Sequence, residues 1–250
     1  MISRSDKVLM TGSCFSTEVG SMLKDSGYDV CLNPFGILFN PSSIASALCR
    51  LETARHFSMN DVILRTDDAS KDRYSYVSFS HHGSFARQTA EDFLENANSA
   101  LESAARFFAM ANVCILTFGT AWVFRHKADG EVVANCHKLP AREFSREKMT
   151  VEEIVALYSP LLERHPEKKW IFTVSPIRHL ADGLHGNQTS KSVLLLAIDR
   201  LQQLFPANTV YFPSYEIMID ELRDYRYYGQ DGVHPTQEAV KIIFEKFIAS

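Results

Sequence analysis

The stretch Lys7-Val8-Leu9-Met10-Thr11-Gly12-Ser13-Cys14-Phe15-Ser16 decides how the chain is read. A short apolar run ends in a glycine, and a helical pattern follows from Ser16 to Gly27, with Val19, Met22 and Leu23 at core-compatible spacing. This is a strand entering a turn and then a helix. Gly12 can take backbone angles closed to other residues, and Ser13 and Cys14 fall beside the open N–H groups of the helix start. Such groups stabilise an anion, either a thiolate or the oxyanion of an acyl-transfer intermediate. Taken alone, the stretch reads better as a plain strand-to-helix turn with a buried cysteine.

The other end of the chain changes that balance. Gln230-Asp231-Gly232-Val233-His234-Pro235-Thr236 precedes an amphipathic stretch with Ala239, Val240, Ile242, Ile243, Phe244 and Phe247 apolar. An early nucleophile with a late Asp-x-x-His is one of the chain orders that can build a nucleophile–base–orienter triad, because the fold assembles the parts. Gly12-Ser13-Cys14-Phe15-Ser16, Asn33-Pro34-Phe35-Gly36, Ser175-Pro176-Ile177-Arg178-His179 and Asp231-Gly232-Val233-His234-Pro235 together resemble the GSCFA domain family over nearly the whole chain. That family is itself similar to the SGNH, or GDSL-like, hydrolases.

Between these ends, strand-like runs alternate with helical ones. Tyr28–Leu32 leads into Asn33-Pro34-Phe35-Gly36, and Asn40-Pro41 opens a helix with Ile44, Ala45, Leu48 and Leu51 on one face. The stretch 60–83 is irregular, with Tyr74–Phe79 alternating like an exposed strand. His81-His82 is poor metal spacing, since adjacent histidines share no helix face, and reads as a surface loop near the site with a substrate contact as the alternative. A long helix is expected over Thr89–Met110. Asn112–Phe118 is the clearest buried strand and ends at Gly119-Thr120-Ala121-Trp122. A hairpin is expected from Trp122–Arg125 and Glu131–Ala134, turning at Asp129-Gly130. Thr150-Val151-Glu152-Glu153 is a capping box for a helix reaching about His165. Lys169–Val174 is another buried strand, followed by a polar loop with Arg178, Asp182, His185, Asn187, Gln188, Ser190 and Lys191. A helix over Ser190–Leu204, a strand Thr209–Phe212 and a helix from Tyr215 to Arg226 complete the pattern.

Five strand-like runs alternating with helices predict a single three-layer α/β/α domain over residues 1–250, with a five-stranded parallel sheet of flavodoxin-like architecture. At 250 residues, 46% hydrophobic and 22% charged, the chain can bury one sizeable core. A net charge of −4 with scattered basic residues argues against nucleic acid as a partner. Five cysteines without C-x-x-C spacing suggest neither a disulfide framework nor a zinc site. No metal or organic cofactor is implied. No apolar run approaches a membrane span and Met1–Asp6 is polar, so a cytoplasmic protein without a membrane partner is expected. A leader trimmed from the sequence would leave no trace in it.

The resemblance implies roles residue by residue. Ungapped alignment on the Gly-Asp-Ser-Leu pattern puts the nucleophile on Cys14, and a one-residue shift puts it on Ser13. His234 becomes the base and Asp231 its orienter. Gly36 matches the glycine whose N–H joins the oxyanion hole, with a turn glycine as the competing account. The usual oxyanion asparagine falls on Ala121, and Thr120, Asn135 and His137 are the candidates to replace it, against a plain polar loop. Arg178 is assigned to substrate binding. The expected function is acyl hydrolysis, as an esterase or deacetylase acting on a small-molecule or carbohydrate ester. An acyltransferase with the same acyl-enzyme chemistry, and a carbohydrate-binding relative without chemistry, are the alternatives. Helix N–H groups and a nearby imidazolium are expected to lower the Cys14 pKa toward neutrality.

Overall fold

Alternation along the strands sorts the core into two halves. In β1 (Lys7–Gly12), Val8 and Met10 point to one side of the sheet and Leu9 to the other. The same split places Ile115 and Ile171 on the first side and Leu116 and Phe172 on the second. Strands buried on both faces need helices on both, and the chain supplies them. The computed structural model describes residues 1–67 and 70–250. Asp68 and Ala69, within the irregular stretch expected over 60–83, lie outside the described residues.

The elements run β1, α1 (Cys14–Asp25), β2 (Asp29–Leu32), α2 (Pro41–Thr53), β3 (Ile63–Asp67), β4 (Ser70–Val77), α3 (Ala90–Met110), β5 (Val113–Phe118), β6 (Trp122–His126), β7 (Val132–Val133), β8 (Phe144–Lys148), α4 (Val151–Arg164), β9 (Lys169–Val174), α5 (Gly183–Leu204), β10 (Thr209–Phe212), α6 (Ser214–Glu216) and α7 (Gln237–Ala249). The main sheet is parallel with strand order β10-β9-β5-β1-β2. Helices α1 and α7 cover one face, and α2, α3, α4 and α5 cover the other. The expected three-layer α/β/α domain is therefore observed. Direction along the sheet reverses between β1 and β5, and the crevice beyond the carboxyl ends of strands at such a point is where open α/β sheets place ligands.

Local signals explain most element ends. Asn40 caps α2 by accepting the Ser43 N–H, with Pro41 at the first helical position. Thr150 and Glu153 form the capping box of α4. Four expectations are corrected. Helix α1 starts at Cys14, two residues earlier than expected, because Ser13 is extended and its carbonyl accepts the Ser16 N–H. The hairpin gains a third strand, β8, giving the order β7-β6-β8. The polar segment before Ser190 is helical from Gly183, so Asn187 lies with Ser190 and Lys191 on the buried face of α5 rather than in a loop. The helix expected over Tyr215–Arg226 breaks into a short α turn, a wider π turn over Ile217–Glu221 and a 3-10 turn over Tyr225–Tyr227.

His81 also departs from its expected surface placement. It is fully buried, with its ring among Phe35, Phe57, Phe85 and Phe93, and its Nδ1 pairs with the Ser78 hydroxyl at 2.7 Å. Burial holds its pKa down at about 3. The His82 N–H donates to the Phe35 carbonyl, which seats this segment on the Asn33–Gly36 loop.

Candidate active site

The turn after β1 is pinned from both sides. The Gly12 N–H donates to Asn33 Oδ1 at 2.9 Å, and the Gly12 carbonyl accepts the Leu38 N–H at 3.0 Å. Asn33 sits in the left-handed region at φ 45°, where asparagine is tolerated, and its Nδ2 donates to Thr17 Oγ1 on α1. The loop after β2 thus fixes both the turn and the first coil of the helix. Ser13 is buried, and its hydroxyl donates to the Ser175 hydroxyl at 3.0 Å at the end of β9. Cys14 is exposed at the first position of α1.

The Cys14 thiol does not have the lowered pKa expected of it. Partial burial of the sulfur raises it, its own backbone N–H lowers it less, and the Glu18 carboxylate one turn along adds a further rise. Helix-terminal stabilisation of a thiolate is outweighed here by desolvation and a like charge. A thiol in this state needs a base.

Asp231 and His234 form a pair at the other end of the chain. Asp231 Oδ1 accepts the Val233 and His234 N–H groups at 2.9 and 3.0 Å, and Oδ2 lies 2.6 Å from His234 Nδ1. The imidazole first, and the two backbone N–H groups after it, hold the Asp231 pKa down at about 2. An ionised carboxylate only accepts hydrogen bonds, so the proton of a neutral His234 sits on Nδ1 and Nε2 carries the lone pair. Both side chains are about half exposed, at 52% for His234 and 50% for Asp231. Their loop is closed by Gly229 N–H to the His234 carbonyl and Thr236 N–H to the Tyr227 carbonyl.

Two connections place this loop relative to the Gly12 turn. Ser175, partner of Ser13, leads in three residues to Arg178, whose N–H donates to the Val233 carbonyl at 3.1 Å. Gln237 at the start of α7 donates to Glu18 on α1 at 3.0 Å, so the two helix starts are neighbours. No hydrogen bond joins His234 to Cys14 or to Ser13.

The remaining candidates divide. Gly36 sits at φ 78° with its N–H donated to the Asn33 carbonyl, which makes it a turn glycine as placed; a Cβ there would lie 2.4 Å from His82 Cβ. Thr120 is buried, with its hydroxyl on Ser190 and its N–H on the Phe39 carbonyl. Asn135 Oδ1 accepts the His137 N–H, and buried His137 contacts the Ser78 carbonyl through Nε2 at 2.7 Å. Arg178 stacks on Tyr228 at 4.4 Å and Tyr225 at 5.4 Å and reaches the Gly232 carbonyl. It also lines a cleft of about 460 Å³ with Phe39, Thr120, Trp122, Arg146 and His179. In that cleft Arg146 pairs with Asp182 and lies over the Trp122 ring. Among the described residues, no three His, Cys, Asp or Glu side chains converge as a metal ion would require.

Two residues gained meaning only from the structure. Ser190 accepts the Ala121 N–H and pairs with Thr120, and Lys191, fully buried, donates to the Gly119 and Ser175 carbonyls. A signal was available: Asn187, Ser190, Lys191, Leu194, Ile198 and Leu201 recur at i, i+3, i+4 and i+7, so polar residues occupy a core-facing stripe.

A model of the GSCFA family matches residues 7–247. No curated protein sequence matches the chain. One solved structure, of a candidate platelet activating factor from Streptococcus pneumonia, is similar with a TM-score of 0.43 at 9% identity, covering 97% of this chain and 84% of that one. Among the described residues no helix is long and apolar enough to cross a membrane.

Proposed function

The chain belongs to the GSCFA family, and on that premise we propose that it is an acyl hydrolase of the SGNH type, with Cys14 as nucleophile, His234 as base and Asp231 as orienter. What carries this reading is the Asp231–His234 pair, held 2.6 Å apart with Nε2 left free, on a loop tied through Arg178 and Ser175 to the Gly12 turn. Accessibility favours Cys14 over Ser13: Cys14 is an exposed residue with its sulfur only partly buried, whereas the Ser13 hydroxyl is buried and engaged with Ser175.

In the first half-reaction His234 Nε2 takes the Cys14 thiol proton as sulfur attacks the ester carbonyl, and Asp231 stabilises the imidazolium. The oxyanion forms against the Cys14 N–H at the open start of α1. Collapse breaks the C–O bond, and the imidazolium returns its proton to the leaving alcohol. Water, deprotonated by His234, then cleaves the thioester and regenerates the thiol. The substrate class in this reading is a small-molecule or carbohydrate ester, by analogy with SGNH hydrolases.

A second reading, a binding protein that has kept the fold without the chemistry, is favoured by one observation. The Gly36 N–H is donated to Asn33, and the Gly119 and Thr120 N–H groups both point at the Phe39 carbonyl, which leaves few donors for an oxyanion. Intact-protein mass spectrometry with a short-chain aryl acetate separates the two. An adduct on Cys14 that persists in Ser13→Ala is expected, with its formation falling by about 10²–10⁴-fold in His234→Ala. Folded wild type that forms no adduct and releases no phenol with any of several acyl chain lengths would sink the hydrolase reading.

A further inference from the structure

Lys191 is out of place on general grounds. It is 1% exposed, and among the described residues no carboxylate pairs with it. Burial depresses its pKa to about 7. An apolar side chain on this stripe of α5 would avoid that cost, so a lysine in this place calls for a role beyond packing.

Its two hydrogen bonds indicate the role. Nζ donates to the Gly119 carbonyl at 2.6 Å and to the Ser175 carbonyl at 2.7 Å. These carbonyls end the adjacent strands β5 and β9 and open the two loops that flank the candidate site. Ser175 is the junction of that site. Its hydroxyl takes the hydrogen bond from Ser13 and lies 3.3 Å from the Ile177 N–H, and Arg178 next along holds the Val233 carbonyl of the Asp231–His234 loop. Beside Lys191 on the same helix, Ser190 holds Thr120 and the Ala121 N–H.

We infer that Lys191 is a positioning residue for acyl transfer: by tying the Gly119 and Ser175 carbonyls together it sets the Ser13–Cys14 turn against the loop that carries His234. The inference rests on the hydrolase reading for its chemistry, though not for its geometry. It makes Lys191 an anchor that never touches substrate. A lost anchor shifts the nucleophile turn and the base loop relative to each other without removing either.

The molecule contains its own control. Lys168 is also a buried lysine bridging two carbonyls, those of Phe108 and Ala111 at 2.9 and 2.7 Å, but at the opposite, amino-terminal edge of the sheet. Lys191→Met, Lys191→Arg and Lys168→Met would be compared with wild type by thermal unfolding, by the rate and KM of adduct formation from an aryl acetate, and by iodoacetamide labelling of Cys14 read at the peptide level. Lys191→Met is expected to slow adduct formation roughly 10–100-fold with KM little changed, and Lys191→Arg to recover part of the rate. Lys168→Met is expected to lose comparable thermal stability and keep the wild-type rate. A Lys191→Met protein at the wild-type rate, or a Lys168→Met protein slowed as far, overturns the inference. Should Lys191→Met fail to fold, Lys191→Arg carries the same comparison against Lys168→Met. Should wild type form no adduct and release no phenol, the hydrolase reading falls separately and labelling decides. Faster Cys14 labelling in the Lys191 variants alone then supports the anchor, and equal labelling in all four proteins overturns it.

Discussion

At Gly12 a Cβ would lie 2.5 Å from both the Ser16 hydroxyl and the Thr117 carbonyl oxygen, at a φ of 155°. A backbone atom cannot swing aside as a side-chain tip can. Gly12→Ala is therefore expected to cost roughly 2–4 kcal/mol in urea unfolding and to disturb Cys14 with it. Glu18 offers a gentler probe. Its carboxylate raises the Cys14 pKa, so Glu18→Gln should move the pH midpoint of Cys14 alkylation downward. An unmoved midpoint would mean that burial alone sets the thiol. Both residues sit in the stretch that opens the domain. The glycine's role was legible there, because a small residue between strand and helix signals a tight turn. The sign of the Cys14 shift was not legible, because desolvation depends on what the fold packs around the sulfur.

Elements differ in how locally they are determined. Helix α4 carries its own start signal: Thr150 accepts the Glu153 N–H and Glu153 accepts the Thr150 N–H. Thr150→Ala should cost about 1 kcal/mol in thermal or urea unfolding and leave Cys14 labelling unchanged, since α4 packs on the far face from α1. Helix α5 is the opposite case. Its first turns hold Gly183, Gly186 and Asn187, weak helix formers that read as loop. Tertiary contacts carry them: Asn187 Oδ1 accepts the His179 N–H, and Ser190 and Lys191 satisfy groups at the strand ends. The break in the helix expected after β10 has the same character, since its apolar residues divide between the two cores. Tyr215 packs with one and Ile217 and Met218 with the other.

Across the whole molecule, one buried and one half-buried histidine link stability to pH. His81 has its pKa lowered to about 3 and His179 to about 4, burial being the main cause for each. Below the ordinary histidine pKa of roughly 6.5 the unfolded chain binds protons that the folded one refuses. The folded state keeps its full advantage above that pH and loses it as pH falls toward 3. Asp231 acts in the same direction at lower pH: its carboxylate contact with His234 persists above the usual aspartate range and is lost only as pH approaches about 2. Urea midpoints measured from pH 7 to pH 4 should therefore fall, and His81→Phe, which suits the phenylalanine cage, should flatten that fall. An identical slope in the variant would assign the acid lability elsewhere.

The sequence by itself determined the α/β alternation, the five parallel strands, the turn at Gly12 and the Asp-x-x-His loop before the last helix. These rest on hydrophobic period, glycine and proline placement and capping chemistry, all of which act within a few residues. Only the tertiary structure decided that Ser13 is sealed against Ser175 while Cys14 faces outward, that His81 belongs to the core, and that Lys191 ties β5 to β9. Each of these depends on groups 16 to 162 residues apart or on the protein packed around a side chain. A local period can mark a buried face, but which distant partner a buried group meets is a property of the assembled layers, and no local pattern encodes it.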